Sequence, residues 1–289
     1  MKWRGNRESS NVEMGSGGGR GLGGGLKLGL GGMLVVFILG LIMGKSPMEM
    51  LGLVAQMQQN APAETSQPAD PNAPASEEQQ FSKVVLASTE DVWGRIFAEN
   101  NSQYPAPRMV LFEGSVQSAC GGATSAVGPF YCPGDQKVYL DTQFFDDMKT
   151  KLGGGGDFAQ AYVIAHKVGH HIQTITGVSE KVNAVRAKGG QVEGDGGLLV
   201  RQELQADCYA GLWAHYAQQE KRWMEPGDLE SAVRTAQAIG DDTLQRQSRG
   251  TVVPDAFSHG TAEQRMRWFS KGFDSGRLQD CNTFTAGAL

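Results

Sequence analysis

The stretch AYVIAHKVGHHIQTITG, residues 161–177, contains two histidines spaced for metal binding. His166 and His170 are four residues apart, so on a helix both imidazoles project from one face and can reach a single ion. A catalytic zinc takes a third protein ligand and leaves its fourth position for water. An amphipathic helix can carry the same pair without a metal, so the spacing alone leaves both interpretations open.

The segment ELQAD supplies a candidate for the third ligand. Glu203 and Asp207 lie one helical turn apart, so their carboxylates share a face of a predicted helix. We expect Glu203 to bind the metal and Asp207 to accept a hydrogen bond from the distal nitrogen of a ligand histidine. His166, His170 and Glu203 then form the His2Glu set of a catalytic zinc site.

The elements that position these residues are predicted to be mostly helices. Apolar runs in RMVLFEGSVQ and KVYLD predict strands. The strand at 108–112 is either an edge strand that pairs with an extended peptide or an ordinary strand of the sheet core. Cap-like residues and apolar periodicity predict helices that begin at Ser88, Asp157, Asp228 and Thr261, and a further helix over residues 198–219. We therefore expect an α+β domain dominated by helices, with a small sheet.

The charge of the chain argues against a nucleic-acid partner. The 289 residues include 26 Lys and Arg and 31 Asp and Glu, which gives a formal net charge of −5 at pH 7. Binding to phosphates requires a basic excess, and this composition does not supply one. The length suffices for one large domain or two small ones, and we expect one, because the first part of the chain does not have a globular composition.

Residues 28–44, LGLGGMLVVFILGLIMG, carry no charge and are predicted to form one transmembrane helix. Their length lies at the short end of what spans a bilayer. Basic residues at positions 2, 4, 7, 20 and 27 precede them, and this excess predicts a cytoplasmic N-terminus. A cleaved signal peptide is the alternative, although Lys45-Ser46-Pro47 offers no small-residue cleavage pattern.

The sequence is therefore predicted to have four parts. Residues 1–27 form a basic, Gly-rich cytoplasmic tail, and residues 28–44 form the anchor. Residues 45–80 form a disordered linker rich in Pro, Ala, Gln and Ser, and residues 81–289 form the folded domain. This order predicts a single-pass protein whose domain lies on the outer side of the membrane.

All four cysteines follow the apolar segment, which favours two disulfides in an oxidising compartment. Four cysteines allow three pairings. We favour Cys120 with Cys132, which bracket a glycine-rich loop, and Cys208 with Cys281, which would tie the C-terminal tail to a helix. Free buried thiols are the alternative, and a zinc site built from cysteines is disfavoured because no close pair exists.

Several stretches that together span nearly all of the chain match one family: MKWRGNRESSNVE, CGGATSAVGPFYCPGDQKVYLD, GDFAQAYVIAHKVGHHIQ, ELQADCYAGLWAH, AQAIGDDTLQRQS and DAFSHGTAEQRMRWFSKGFDSG. They resemble the bacterial neutral zinc metallopeptidases, membrane-anchored proteins of the zincin type. The resemblance implies a gluzincin-like site with His166 and His170 in the HExxH positions and Glu203 as the third ligand. It also implies zinc as cofactor, a peptide or protein substrate, and a bacterial inner membrane with the domain in the periplasm or outside the cell.

Lys167 stands where the HExxH motif of that family has its glutamate. The glutamate takes a proton from metal-bound water and passes it to the leaving amine. Lysine, with an unperturbed pKa of about 10.4, is an ammonium at neutral pH and cannot accept that proton. We expect Lys167 to be non-functional as a base and the chain to hydrolyse peptides poorly or not at all. A desolvated lysine of lowered pKa is one alternative, and a non-catalytic zinc- or peptide-binding scaffold or regulator is the other.

Other residues have weaker functional interpretations. His259 in SHGTAEQR could stabilise an oxyanion or organise the turn before Thr261. Tyr162 and Tyr209 could supply a hydroxyl to the reaction or be core aromatics. His171, about 100° further round the helix than His170, is predicted to be a surface residue or a partner of a ligand.

Overall fold

The computed structural model of the chain describes residues 1–15, 75–124, 128–145, 156–238, 257–287 and 289. Among these residues, no helix combines the length and the apolar character needed to cross a bilayer. The predicted anchor at residues 28–44 lies outside the described residues, and so do residues 45–74 of the predicted linker. The predictions for those segments therefore stay predictions.

The described residues contain six strands. They are β1 (Val12–Met14), β2 (Arg108–Phe112), β3 (Ser115–Ser118), β4 (Gly121–Thr124), β5 (Phe130–Cys132) and β6 (Lys137–Asp141). Four of them form one sheet in the order β1-β2-β6-β5, in which β5 is antiparallel to β6 and the other pairs are parallel. β3 and β4 form a separate antiparallel hairpin. The strands predicted in RMVLFEGSVQ and KVYLD are confirmed.

The strand at residues 108–112 lies inside the sheet. β2 is paired with β1 on one side and with β6 on the other, so its backbone groups are already hydrogen-bonded. The prediction that this strand binds a peptide at a sheet edge is wrong, and the alternative, ordinary sheet core, is confirmed. Its side chains Met109 and Leu111 are fully buried, which explains the apolar run.

Helices form most of the remaining described chain. They are α1 (Glu77–Glu99), α2 (Asp157–Ile175), α3 (Val178–Ala187), α4 (Leu198–Lys221), α5 (Asp228–Ala238) and α6 (Ala262–Ser275), followed by a short 3-10 helix (Leu278–Cys281). α4 is central, because both α2 and α6 pack extensively against it. The fold is therefore α+β and rich in helices, with a small sheet, as predicted.

α4 and α6 approach each other closely at two glycines. A Cβ atom built at Gly211 would overlap the carbonyl oxygen of Phe269, and one at Gly272 would overlap the carbonyl oxygen of Cys208. Only glycine fits at these positions, since any side chain would push the two backbones apart. The contact holds α6 against the part of α4 that follows Asp207.

Two of the predicted helix starts differ from the observed ones. α1 begins after a capping box formed by Ser76 and Gln79, so Ser88 is not a cap; it lies buried within the helix and accepts a hydrogen bond from Trp213 Nε1. Asp157 is the first residue of α2, after the N-cap position at Gly156, and its carboxylate accepts a hydrogen bond from Trp3 Nε1. Ser88 and Asp157 each accept a hydrogen bond from a tryptophan that is distant in sequence. The preference of Ser and Asp for helix N-caps does not predict such a partner.

The helix start at Thr261 is confirmed. Its side chain accepts a hydrogen bond from the backbone of Gln264, whose own side chain binds the backbone of Thr261 in return. This reciprocal capping box satisfies two of the orphan donors at the start of α6.

Residues 1–15 pack onto the domain. β1 extends the sheet, and Trp3, only 4% exposed, contacts the Phe81 ring edge-on at 5.4 Å. Arg7 Nη2 lies 2.7 Å from Asp91 Oδ1 on α1. The sequence predicts residues 1–27 to be a separate tail and the domain to begin at Phe81, whereas residues 1–15 and the start of α1 at Glu77 belong to the same unit as the domain. A cytoplasmic N-terminus with an exported domain would require residues 1–15 to leave this sheet.

Both predicted disulfides are present. Cys120 and Cys132 join the β3–β4 hairpin to β5, with Cα atoms 5.8 Å apart. Cys208 in α4 and Cys281 in the 3-10 helix are joined with Cα atoms 5.4 Å apart. The second bond fixes the C-terminal segment to the helix that carries Glu203 and Asp207, as predicted.

We predict that Trp3→Ala lowers the free energy of unfolding by about 3–5 kcal/mol, the range for loss of a large buried aromatic side chain. The loss also includes the hydrogen bond to Asp157. Urea denaturation of the full chain measures this. Met14→Ala is the matched control from the same segment, because Met14 is 57% exposed, and its effect should stay within about 0.5 kcal/mol. Equal stability of the parent and Trp3→Ala would show that residues 1–15 do not pack onto the domain.

Candidate metal centre

The two histidines of the HxxxH pair lie side by side on α2. The ring centroids of His166 and His170 are 4.7 Å apart, as expected for residues one helical turn apart. His166 is 3% exposed and the His170 side chain is 13% exposed. Neither ring is free to turn out to water, so both hold a defined orientation towards α4.

Glu203 on α4 faces both rings. Its Oε2 lies 3.2 Å from His166 Nε2, and its Oε1 lies 3.4 Å from His170 Nε2. The helices reach this proximity at Gly169, where an added Cβ would lie 3.1 Å from the Cα and the carbonyl oxygen of Ala206. Since Gly169 lies between the two histidines and Ala206 lies between Glu203 and Asp207, the crossing brings the predicted residues together.

These three side chains fit a zinc ion. One donor atom from each residue lies within 4.8 Å of the others. Bonds of about 2.0–2.2 Å to a tetrahedral zinc place neighbouring ligand atoms about 3.4 Å apart. Each Nε2 atom has one Glu203 oxygen near that spacing: Oε2 lies 3.2 Å from His166 Nε2, and Oε1 lies 3.4 Å from His170 Nε2.

The hydrogen bonds behind the rings support the same conclusion. His166 Nδ1 lies 2.7 Å from Asp207 Oδ1, and His170 Nδ1 lies 3.0 Å from Gln173 Oε1. Both partners are oxygen acceptors, so each Nδ1 carries the proton and a neutral ring leaves a lone pair on Nε2. Two lone pairs that face a carboxylate repel it, so this arrangement needs positive charge between the groups, either a proton on each Nε2 or one shared metal ion. A divalent ion in this position would satisfy all three groups.

The side-chain charges agree with metal ligation. Burial alone would raise the pKa of Glu203, but the two adjacent histidines outweigh it and hold the pKa well below its usual range. Burial lowers the pKa of His170. An ionised carboxylate and a neutral imidazole are the forms that bind zinc.

Asp207 accepts a hydrogen bond from His166 Nδ1, the nitrogen distal to Glu203, as predicted. Asp207 also belongs to a larger buried network. Arg265 on α6 donates from Nε to Asp207 Oδ2 at 2.9 Å and from Nη2 to Oδ1 at 3.0 Å. The Tyr162 hydroxyl donates to Asp207 Oδ1 at 2.6 Å. Burial would raise the pKa of Asp207, but Arg265 and His166 outweigh that effect and lower it. Asp207 therefore stays ionised in the interior.

Sequence reasoning missed Arg265. It lies 58 residues beyond Asp207, on a helix whose start was predicted correctly but whose inward face was not assigned to the site. The available signal was weak. The segment RMRWF places arginines next to large apolar residues, and an arginine on the inward face of such a helix needs a carboxylate partner.

Lys167 follows His166 on α2 and is partly buried. Burial lowers the pKa of its ammonium group, and the negative charge of Glu203 partly opposes that effect. Lys167, at the expected base position, therefore lies close enough to the ligand cluster to interact electrostatically with Glu203.

Other predicted residues lie apart from the ligands or have different partners. His171 is 1% exposed and binds the Pro105 carbonyl oxygen through Nε2 at 2.6 Å, so it is not a surface residue. Tyr209 is a core aromatic against Trp93, and the hydroxyl of Tyr162 is directed at Asp207. His259 is exposed, with Nδ1 3.0 Å from Ser258 Oγ; its role at an oxyanion stays a prediction.

A family of known proteins matches nearly the whole chain. Residues 1–284 match the model of the family described as "Putative neutral zinc metallopeptidase". The chain belongs to this family. The match agrees with the resemblance seen in the sequence, and it supports zinc as the ion for the His166, His170 and Glu203 cluster.

Relatives of this metallopeptidase family member occur in Escherichia coli and Mycobacterium tuberculosis. The chain is 48% identical over 288 residues to the uncharacterized protein YpfJ of Escherichia coli (strain K12), which covers 98% of this chain and 99% of YpfJ. It is 45% identical over 196 residues to the uncharacterized protein Rv2575 of Mycobacterium tuberculosis, which covers 64% of this chain and 65% of Rv2575. No solved structure matches the chain.

We predict that Asp207→Asn destabilises the zinc-free protein by about 3–5 kcal/mol, because it leaves the buried guanidinium of Arg265 without a counter-charge. The free energy of unfolding in the presence of a chelator measures this. The double variant Asp207→Asn/Arg265→Met should be less destabilised than the sum of the two single variants, by about 0.5–3 kcal/mol. Strict additivity would show that the two charges are not coupled.

Proposed function

We propose that the chain is a zinc-binding metallopeptidase fold whose ligand set is intact and whose peptide hydrolysis is weak or absent. The zincin-like crossing of α2 and α4 supports the first part, because it directs two imidazoles and one carboxylate at one point. Lys167 supports the second part, because it replaces the carboxylate of the HExxH motif. The single observation that carries the proposal is the position of Glu203 between His166 Nε2 and His170 Nε2.

Bound zinc acts as a Lewis acid and lowers the pKa of water to about 7. The chain must supply the groups that move protons. A carboxylate accepts a proton and releases it again near neutral pH, whereas an ammonium group has no lone pair to accept one. Loss of general acid–base catalysis costs about 10²- to 10⁴-fold in rate.

The balance of charges also disfavours Lys167. Zinc with two neutral histidines and Glu203 has a net charge of +1, and the charges of Asp207 and Arg265 cancel. An ammonium group adds a positive charge where the motif has a negative one. We therefore expect Lys167 to weaken zinc binding as well as turnover, because like charges in a partly buried site repel each other.

A non-catalytic role is the second candidate function, and Lys167 is the observation that favours it. The ligands and their hydrogen-bond partners do not depend on residue 167. A chain of this kind could bind zinc and extended peptides as a scaffold or a regulator of other proteins. β1 and β5 are the two edge strands of the four-stranded sheet, and we propose β5 for peptide addition because its Tyr131 hydroxyl lies 3.2 Å from His171 Nδ1 on α2, the helix that carries the ligand histidines.

We predict that Lys167→Glu raises cleavage of an unstructured protein by at least about 10²-fold, the lower range for general acid–base catalysis. The measurement compares turnover and zinc content for the parent and the variant, with and without a chelator. Lys167→Gln is the matched control: it removes the positive charge without supplying a base, so it should gain zinc affinity but little activity.

The outcomes separate the candidates. Activity in Lys167→Glu alone supports a peptidase fold impaired at residue 167. Zinc binding and peptide binding without cleavage in either form support the scaffold. Equal, chelator-sensitive activity in the parent and the variant would refute the assigned base, and unchanged zinc content in His166→Ala would refute the metal site.

We also propose that the domain lies outside the cytoplasm, in the periplasm or beyond, and that residues 28–44 attach the protein to a membrane. Two disulfides support an oxidising compartment. The pairing of β1 with β2 and the ion pair of Arg7 with Asp91 support the placement of residues 1–15 on the same side as the domain. A single crossing by residues 28–44 would instead place residues 1–15 and the domain on opposite sides of the membrane, so these contacts and a single crossing make opposite predictions.

Cysteine labelling tests this placement. All four native cysteines are in disulfides, so Arg4→Cys and Ser102→Cys each introduce one thiol at an exposed position. If residues 1–15 stay on the domain, a membrane-impermeant maleimide labels both variants in intact spheroplasts. Labelling of Ser102→Cys alone would place the N-terminus in the cytoplasm, and a cytoplasmic marker protein controls for leakage.

A further inference from the structure

A row of hydrogen bonds joins His170 to the C-terminal segment of the chain. His170 Nδ1 lies 3.0 Å from Gln173 Oε1, and Gln173 Nε2 donates to Gln205 Oε1 at 3.1 Å. Gln205 Nε2 then donates to the carbonyl oxygen of Cys281 at 3.2 Å. Gln173 is fully buried and Gln205 is 6% exposed, so water does not compete for these bonds.

Two backbone carbonyls set the direction of this row. The Cys281 carbonyl can only accept, so Gln205 must present its amide nitrogen to it and its oxygen to Gln173. Gln173 Nε2 also lies 2.6 Å from the carbonyl oxygen of Gln202, which requires a donor as well. The oxygen of Gln173 therefore faces His170, whose Nδ1 must carry the proton. This leaves the lone pair of His170 on Nε2, towards Glu203.

We infer that Gln173 is a positioning residue for the ligand His170, and that Gln205 transmits to it the orientation imposed by the Cys281 carbonyl. The inference rests on the proposed zinc site. It assigns to a pair of neutral amides the role that Asp207 has for His166: both fix the ring and its tautomer so that Nε2 is free to bind the ion.

The carbonyl at the far end of the row is held firmly. The disulfide joins Cys281 to Cys208 on α4. Arg201 Nη1 donates to the carbonyl oxygens of Thr283 and Ala286 at 2.5 and 2.9 Å, and the buried Thr283 hydroxyl returns a hydrogen bond to the carbonyl of Arg201. The C-terminal segment thus belongs to the support of the metal site, although it lies more than a hundred residues after His170.

Replacements at Gln173 distinguish its effect on the orientation of the His170 ring from its effect on side-chain packing. Gln173→Leu keeps the size of the side chain but removes the acceptor, and should weaken zinc binding by about 10- to 100-fold, the usual effect of losing a ligand's hydrogen-bond partner. Gln173→Glu keeps an oxygen for His170 Nδ1 and should bind zinc more tightly than Gln173→Leu. Gln173→Glu should not be more stable than Gln173→Leu, because its carboxylate has no donor for the Gln202 carbonyl oxygen.

The test measures zinc affinity of the full chain by competition with a chromophoric chelator, and resistance to urea of each zinc-free variant. Gln205→Leu should weaken zinc binding less than Gln173→Leu, since Gln202 still orients Gln173. Gln219→Leu, at an exposed position on the same helix α4, is the control and should leave the affinity unchanged.

The outcomes distinguish this inference from the proposed function. Zinc affinity equal to the parent in Gln173→Leu, or equally weak binding in Gln173→Leu and Gln173→Glu, would overturn the positioning role while the zinc site stands. Absence of zinc binding in the parent chain would instead refute the proposed site. A stronger effect in Gln205→Leu than in Gln173→Leu would also contradict the proposed order of the row.

Discussion

The close crossing of α2 and α4 at Gly169 and Ala206 is the constraint on which the candidate site depends. The two backbones approach so closely that a side chain at residue 169 would press against Ala206. Because one pair of polar residues flanks the crossing on each helix, the same contact brings His166 and His170 against Glu203 and Asp207. A larger residue at this crossing would separate the ligands by the amount that it separates the helices.

Burial of the ligands then dictates the rest of the site. An ionised Asp207 in the interior requires a counter-charge, and Arg265 provides it with a two-point contact. α6 can bring that guanidinium inward because Gly211 and Gly272 let it lie close to α4. Each ligand histidine has its own support, an ionised network behind His166 and a row of neutral amides behind His170. The disulfide between α4 and the C-terminal segment stabilises the second of these.

Lys167 lies next to His166 on α2, and the ligands of the candidate site are in place around it. None of the hydrogen bonds behind the two ligand histidines involves residue 167, so the framework can persist with a lysine at that position. Membership of the neutral zinc metallopeptidase family concerns the framework, which extends over nearly the whole chain. Catalysis depends in addition on a single proton-carrying group, and the family match does not determine that group in this chain.

The sequence by itself determined the elements whose signals are local. Helical spacing identified His166 and His170, the pair Glu203 and Asp207 identified the partner helix, and cysteine positions favoured the correct disulfides. Tertiary structure alone decided three features: the packing of residues 1–15 onto the domain, the central position of β2, and the recruitment of Arg265, Gln173 and Gln205. Each depends on contacts between segments distant in sequence or on the direction of a side chain in the packed interior. Spacing and propensity describe a segment's own periodicity, and they carry no information about which other segment completes its hydrogen bonds.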